Sequence, residues 1–444
     1  MTTTRFAPSP TGNLHVGNLR TALMNYLIAR KARGTFILRI DDTDLERSSG
    51  KYVDSIKDSL NWLGLHWCRE ERQSERFNQY VEAVDKLHGL GRLYEAFEAP
   101  NDLKLKRKAK VKAGKPPVYD REAMVLTQEE KEKLRTEMGA SVWRFKLDRK
   151  RVEWTDGIMG DLSIDAASVS DPVLIRQDGR VLYPLASVVD DIDMGVTDVV
   201  RGNDHVTNTA VQIQIFEALG GTVPRFAHHA LLTGPKGEAL SKRLGSTLPL
   251  SLDNLRKDKV VPFALLSMLA RIGSSDPVEL RNNMDDLTQG FDLSRFGAAP
   301  INFDVRRLYA LNARYLRNMP VSSVEKELAS IGIPDNLAEP FWLAVRDNIT
   351  TLHCLKEWWA MCQNGADPVI ADEDRDFVKT AMTLLPDPPF DVTTWKKWTT
   401  AVKAVSGRTG KDLFMTLRKA LTGRESGPDM SALMPVLQVV RARN

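Results

Sequence analysis

This 444-residue sequence predicts an open α/β sheet domain, interrupted by a smaller insertion and followed by an all-helical half. Three observations carry that expectation. Apolar strand-like runs joined by helical stretches occur near the start and again after residue 170. Between them, from about Leu93, the chain turns to a basic run, a proline pair and short β-like stretches. From Val260 onward the apolar residues recur at helical spacing.

Taken in order, Phe6-Ala7 starts a strand that runs into Pro8 and Pro10, which lack an N–H and cannot extend a sheet ladder. The chain turns at Thr11-Gly12-Asn13 and opens a helix near Gly17. Leu19, Ala22, Leu23, Tyr26 and Leu27 keep helical spacing until Arg33-Gly34. Phe36 to Ile40 then reads as a buried parallel strand ending in Asp41-Asp42-Thr43-Asp44, which completes a βαβ unit. Ligands of open α/β sheets bind at the edge where such strands end. Free N–H groups at the helix start, backed by its dipole, suit phosphate, with His15 as a further donor and Gly17 allowing close approach. Helices are expected over residues 52–63 and 76–90.

Lys104 to Lys115 holds seven basic residues and no acidic one, a solvated helix face or a phosphate-backbone contact. An acidic helical patch at 128–132 and β-like stretches at 142–147 and 152–154 complete the insertion. Sheet character returns at Val173 to Ile175 and Val181 to Ala186, then at Val199 to Gly202, followed by a helix over 209–219. Gly234-Pro235-Lys236-Gly237 leads into Ser241-Lys242-Arg243, two adjacent cations in a glycine-flanked loop. The helical half includes stretches at 341–362, 378–385, 393–405, 411–421 and 433–443. Trp395 and Trp398 suit a core more often than a base-stacking surface.

Composition bounds the class. Hydrophobic residues at 42% and charged residues at 27% are ordinary globular values, so a sizeable core is expected. No apolar run reaches the ~20 residues of a membrane helix, and the N-terminal stretch has no apolar signal region. Cys68, Cys354 and Cys362 are too scattered for a disulfide framework or a zinc site, which points to a reducing cytoplasm. A net charge of +4 does not by itself announce a nucleic-acid binder.

The motifs carry a resemblance. Pro8 to Asn18 (Pro-Ser-Pro-Thr-Gly-Asn-Leu-His-Val-Gly-Asn) resembles the first signature of class I aminoacyl-tRNA synthetases, and Ala239-Leu240-Ser241-Lys242-Arg243 resembles their second. Arg5 to Pro8, Leu38 to Asp44 and Val188 to Asp191 are similar to bacterial glutamyl-tRNA synthetases. Leu265 to Gly273 and Leu413 to Arg424 resemble that family's stem-contact and anticodon-binding regions. The resemblance implies a multidomain chain. Its α/β Rossmann-like catalytic domain would comprise residues 1–92 and 171–228, with an inserted α+β acceptor-end-binding subdomain at 93–170. A stem-contact domain at 229–305 and an all-helical anticodon-binding region at 306–444 would complete it.

The implied reaction is ATP-dependent attachment of glutamate to tRNA(Glu) through a glutamyl-adenylate, with tRNA(Gln) as a second acceptor left open. The family pattern puts ATP, with Mg²⁺ on its phosphates, against Pro8, Gly12, His15, Gly17, Asn18, Asp204, His205, Ser241, Lys242 and Arg243. His15 and Lys242 would be the catalytic pair. Glutamate would meet Arg5, Ala7, Ser9, Asp41, Tyr183, Ser187 and Arg201. Arg5 with Tyr183 would take the side-chain carboxylate, Arg201 the α-carboxylate and Asp41 the ammonium. Asp41 stands where relatives commonly have Glu, Ala239 where they have Lys, and Asn203 where Glu is common. Ala96, Phe97 and Glu98 occupy the region of a zinc knuckle that some relatives carry, so no structural zinc and no protein-held metal are expected. The implied enzyme is a cytoplasmic monomer without membrane contact. A catalytically weak tRNA-binding paralogue is the alternative, on the strength of Ala239.

Overall fold

The computed structural model describes residues 1–44, 46–139, 141–234, 237 and 251–443. The chain forms two compact units, residues 1–253 with 266–304, and residues 254–265 with 305–444. The region 229–305, expected as one domain, is thus shared between them.

In the first unit, β1 (Thr3–Phe6) and β2 (Thr35–Ile40) run parallel, with Arg5 opposite Ile37, and α1 (Val16–Lys31) connects them. The α1 face bearing Leu19, Ala22, Leu23, Tyr26 and Leu27 is buried, as its spacing predicts. After α2 (Gly50–Trp62) comes β3 (Arg69–Arg72), a third parallel strand beside β2. Its Arg-Glu-Glu-Arg sequence has no apolar pattern, and only the backbone ladder with β2 makes it a strand. The helix expected at 76–90 is α3 (Phe77–Gly89).

The insertion holds β4 (Leu93–Ala96), α4 (Pro100–Lys112), α5 (Gln128–Met138), β5 (Val142–Phe145), and the hairpin β6 (Arg151–Asp156) and β7 (Gly160–Asp165). The basic run lies mostly on α4, where Lys106 pairs with Asp120 and Glu122. β8 (Val173–Ile175) corrects one expectation. It pairs antiparallel with β5, in a sheet of order β4-β5-β8, and not with the main sheet. Val181 to Ala186 likewise contributes no main-sheet strand, because Tyr183 opens the helix α6 (Tyr183–Asp193).

β9 (Asp198–Gly202), α7 (Val206–Leu219) and β10 (Arg225–His229) come next. β9 and β10 pair in parallel with Arg201 opposite His228. Thr197 ties the start of β9 to β1, its N–H donating to Thr3 O at 2.9 Å. One continuous core includes Ile37 of β2, Phe145 of β5, Val152 of β6, Leu185 of α6, Val199 of β9, Ile213 of α7 and Phe226 of β10. The insertion is therefore packed into the same core as the sheet strands.

In the second unit every element from Val305 onward, among the described residues, is an α-helix or a short 3₁₀ turn. Residues 254–265 join it partly through Asn312, whose side chain accepts from Val261 N at 2.8 Å and donates to Thr350 O at 2.6 Å. Trp342 and Trp398 are buried core residues, their indole N–H groups donating to Met319 O and Ala381 O. Two expectations are corrected here. The apolar stretch 341–362 is two helices, Asp335–Val345 and Leu355–Asn364, separated by 3₁₀ turns. The stretch 433–443 is not a continuous helix, because a short helix ends at Leu433 and Pro435 lies just beyond it.

Candidate functional site

The turn after β1 is held by backbone bonds. Asp41 N donates to Pro8 O at 3.1 Å and Ser49 N to Pro10 O at 3.2 Å, so the end of β2 is laced to the proline stretch. His15 is the N-cap of α1. Its Nδ1 accepts from Gly17 N at 3.0 Å and Asn18 N at 3.4 Å, while Asn18 Oδ1 accepts from His15 N. This corrects the expectation of free N–H groups at the helix start, since two are already bonded to the ring. An accepting Nδ1 puts the proton of a neutral imidazole on Nε2. Gly17 is required by the same cap, because a Cβ there would lie 2.9 Å from His15 Cε1.

Behind the turn lies a chain of buried charges. Arg5 Nε donates to Asp191 Oδ1 at 3.1 Å, and Arg39 Nη1 donates to the same oxygen at 2.6 Å. Arg39 Nε in turn donates to Asp41 Oδ1 at 2.7 Å. Asp190, one residue before Asp191, accepts from Gln73 Nε2, Arg76 Nε and Tyr80 OH. Ions taken out of water are tolerated only when paired in this way. Burial opposes ionisation of Asp191, but the two guanidiniums outweigh it and hold the carboxyl below its ordinary value. Asp41 goes the other way. Burial dominates over its bonds to Arg39 and, with Asp190 nearby, pushes the carboxyl up to about 6.

Arg201, on β9, is also buried. Its Nη1 donates to Tyr183 OH at 3.0 Å, its Nη2 to Thr209 Oγ1 at 2.7 Å and its Nε to His228 Nε2 at 3.3 Å. Burial lowers its pKa from the usual guanidinium value, the field of Arg5 adding to the effect while Tyr183 and Asp191 oppose it. The Tyr183 ring lies 5.7 Å from that of His205. Burial, with the Arg201 charge, lowers the pKa of His205 and favours its neutral form.

The structure thus places these residues in two networks, Arg5 and Asp41 joined through Asp191 and Arg39, and Tyr183 bonded to Arg201 rather than to Arg5. Ala7 is half-buried and Ser9 exposed on the proline stretch, which also carries Pro8 and leads to Gly12. Ser187 is fully buried, its hydroxyl accepting from Gln212 Nε2 at 2.7 Å. Asp204 is exposed just beyond β9. Ser241, Lys242, Arg243 and Ala239 lie outside the described residues. Arg39, Asp190, Asp191 and Gln73 have no role that the sequence alone assigns. Their signal in it is a charge inside an apolar strand and paired carboxylates inside an apolar helix.

Residues 1–309 match the family model described as tRNA synthetases class I (E and Q), catalytic domain. The chain belongs to the class I tRNA synthetases. It is 67% identical to Glutamate--tRNA ligase 1 of Ruegeria pomeroyi, over 100% of this chain and 99% of that one. It is 66% identical to Glutamate--tRNA ligase 1 of Roseobacter denitrificans, over the full length of both. A crystal structure of a glutamate tRNA ligase from Elizabethkingia meningosepticum in complex with its amino acid superposes with a TM-score of 0.81 at 27% identity, covering 98% of this chain and 96% of that one.

Zinc can be weighed against the donors present. Among the described residues, Glu98, Asp120 and Glu122 of this synthetase are the group able to converge on a metal, and they offer only carboxylate oxygens. Structural zinc is held by thiolates and imidazoles, so this set does not fit it.

Arg39 holds two buried carboxylates at once, which sets a test. Arg39→Met keeps the volume, strands Asp41 and leaves Asp191 to Arg5 alone. The variant should lose about 3–5 kcal/mol of stability, read from chemical denaturation at pH 7.5. A loss below about 1 kcal/mol would show that the chain of charges contributes little.

Proposed function

We propose that this protein joins L-glutamate to tRNA(Glu) at the cost of ATP, releasing AMP and diphosphate, as the full-length relatives named glutamate--tRNA ligase do. One structural observation supports glutamate in particular: two buried guanidiniums, Arg5 and Arg201, each stand one residue before the end of their strands, β1 and β9. A dicarboxylate needs a cation for each end, and a guanidinium meets a carboxylate in a planar fork.

In this reading Arg5, with Tyr183, takes the side-chain carboxylate, Arg201 the α-carboxylate and Asp41 the ammonium. Ala7 and Ser9 line the pocket, and Ser187 supports it from within the core. The Nε2–H of His15, together with Pro8, Gly12, Gly17 and Asn18, receives ATP, and Asp204 and His205 contact it from β9. Lys242, with Ser241 and Arg243, neutralises the departing diphosphate. The α-carboxylate attacks the α-phosphate, and a ribose hydroxyl of the terminal adenosine then attacks the glutamyl-adenylate. Such chemistry asks a protein mainly for positioning and charge stabilisation. Mg²⁺ arrives on the ATP phosphates as part of the substrate. The carboxylates nearest the turn are committed elsewhere, Asp41 to Arg39 and Asp42 to Ser74, which supports a protein without a resident metal ion.

In the same reading the protein is a cytoplasmic monomer without structural zinc. No helix among the described residues is long and apolar enough to cross a membrane. The cysteines are free. Whether tRNA(Gln) is also charged is decided by presenting each purified tRNA separately. The catalytically weak paralogue is not favoured, since the relatives are named as ligases over the whole length.

Glutamate-dependent exchange of pyrophosphate into ATP, with tRNA(Glu) present, tests the whole reading. Its absence with cognate tRNA would remove the synthetase function. Within an active enzyme, Lys242→Ala should slow adenylate formation by about 100-fold with a near-normal KM for glutamate, because its contact is strongest in the transition state. A change confined to glutamate KM would contradict that role.

The pH dependence originates in Asp41. Its carboxyl, raised to about 6 in the folded protein, is ionised above that pH and neutral below it. Ammonium binding is therefore expected above pH 6 and lost on acidification. Glutamate KM at saturating ATP should rise about tenfold between pH 7.5 and 5. Asp41→Asn should have a high KM that no longer changes over this range, and a wild-type pH profile in that variant would clear Asp41 of the role. The stability effect has the same origin and opposite sense. With its folded pKa raised above the unfolded value, Asp41 favours the folded state most below pH 4 and progressively less as pH rises through 6.

A further inference from the structure

The hairpin β6–β7 reaches the glutamate site through one buried carboxylate. Asp156, the last residue of β6, is 3% exposed, and Gly157 after it donates its N–H to Phe226 O of β10 at 2.9 Å. Asp156 Oδ1 accepts from the backbone N–H groups of Ile158, Met159 and His228, each at 3.0 Å. Its Oδ2 lies 2.5 Å from Nδ1 of His228, whose side chain is wholly buried. Burial opposes ionisation of Asp156, but these N–H groups, the ring first among them, bring its carboxyl down to about 2. An ionised carboxylate only accepts, so Nδ1 of His228 must carry the proton.

The other ring nitrogen faces a guanidinium N–H, a contact that only an acceptor makes, so Nε2 presents its lone pair. His228 Nε2 faces two donors, Thr209 Oγ1 at 2.9 Å and Arg201 Nε at 3.3 Å. Thr209 Oγ1 accepts from Arg201 Nη2 at 2.7 Å, and its own hydrogen has the ring or His205 O as acceptor. Arg201 and His228 are register partners on neighbouring strands, so the sheet itself sets their separation. The opposite tautomer would point an N–H at the guanidinium N–H, donor against donor, deep in the core. The charge of Asp156 is what prevents it.

We propose that Asp156 is a positioning residue for glutamate binding. It acts through His228, whose tautomer it fixes so that Nε2 anchors Arg201 and leaves the second N–H of each outer nitrogen, beyond those given to Tyr183 and Thr209, for the α-carboxylate. The proposal rests on the reading of Arg201 given above. Asp156 belongs to the insertion, 45 positions before Arg201, and has no hydrogen bond to it. No motif in the sequence marks either Asp156 or His228.

The test pairs Asp156→Asn with a rescue. The amide keeps the size and one acceptor oxygen but presents N–H groups toward His228. In enzyme labelled with ¹⁵N-histidine, the His228 ring shifts should move from the Nδ1–H to the Nε2–H tautomer. The KM for glutamate should rise about tenfold while the KM for ATP changes less than about twofold. His228→Gln puts a carbonyl oxygen near the Nε2 position whatever residue 156 is, so the double variant should recover glutamate KM to within about threefold. A purely structural role would give no such recovery. Wild-type glutamate KM in Asp156→Asn, or equal increases for glutamate and ATP, would overturn the proposal. If Asp156→Asn does not fold, His228→Leu replaces it: glutamate KM must rise there, and an unchanged value overturns the relay. Arg201→Met separates the two levels. Normal glutamate KM in that variant removes the parent reading of Arg201, whereas an impaired Arg201→Met beside a normal Asp156→Asn removes only the relay.

Discussion

Arg5 of β1 and Arg39 of β2 close on one carboxylate, Asp191 of α6, and the geometry of the first unit depends on that meeting. Three elements far apart in sequence are fixed to one point. Arg39 carries the link on to Asp41, and Asp190 extends it to Gln73, Arg76 and Tyr80 on the segment leading into and through α3. A hydrophobic contact would tolerate small slips, because burial is non-directional. Paired ions do not, since a displaced partner leaves a charge in a medium that cannot solvate it. The register of β1 on β2 and the seating of α6 behind them are then specified together. Stability is not the main yield of such a network, because apolar residues of the same volume often serve as well. Its yield is a fixed pair of guanidiniums near the strand ends.

The His15 cap works by the same exclusion of alternatives. A helix start with open N–H groups would bind any anion. Here the imidazole occupies two of those groups, and Gly17 leaves room for the ring. The orientation of the ring, and with it the direction of Nε2, is set by its own bonds to the helix. Asp41 N bonded to Pro8 O ties the end of β2 to the same proline stretch.

Local pattern was enough for the elements whose own side chains decide them. The α1 stripe, β2 and α7 are apolar sequences in apolar places, and their expected positions match. It was not enough where the backbone decides. β3 is Arg-Glu-Glu-Arg and becomes a strand only because β2 offers a free edge, and β8 is apolar enough for either sheet, so the partner chooses. At the candidate site, Arg5, Tyr183 and Arg201 came from a resemblance carried by motifs; Arg5 lies in the Asp191 network, and Tyr183 and Arg201 bond to each other. Arg39 was visible as a charge inside an apolar run but named no partner. Asp156, His228 and Thr209 are ordinary residues in ordinary stretches. Only the pairing of β9 with β10 and the docking of a hairpin bring them together, and neither is periodic in sequence.

The charge inventory of the first unit is balanced by residues drawn from separate elements. Asp190 has Arg76 and Arg39 beside it, while Arg5 and Arg39 share the carboxylate of Asp191, with Asp41 on the other side of Arg39. Arg201 meets its anion one ring away, through His228 to the ionised carboxylate of Asp156. The guanidiniums of Arg5, Arg39 and Arg201 thus stand against the three carboxylates of Asp41, Asp156 and Asp191. Asp41 is the exception among them: burial raises its carboxyl to about 6, so its charge is the one that acidification removes first. Screening by solvent is weak around buried groups, and the loss of that one charge is felt by Arg39 beside it. The balance is set jointly by β1, β2, β6, α6 and β9, which is why no single stretch of sequence displays it.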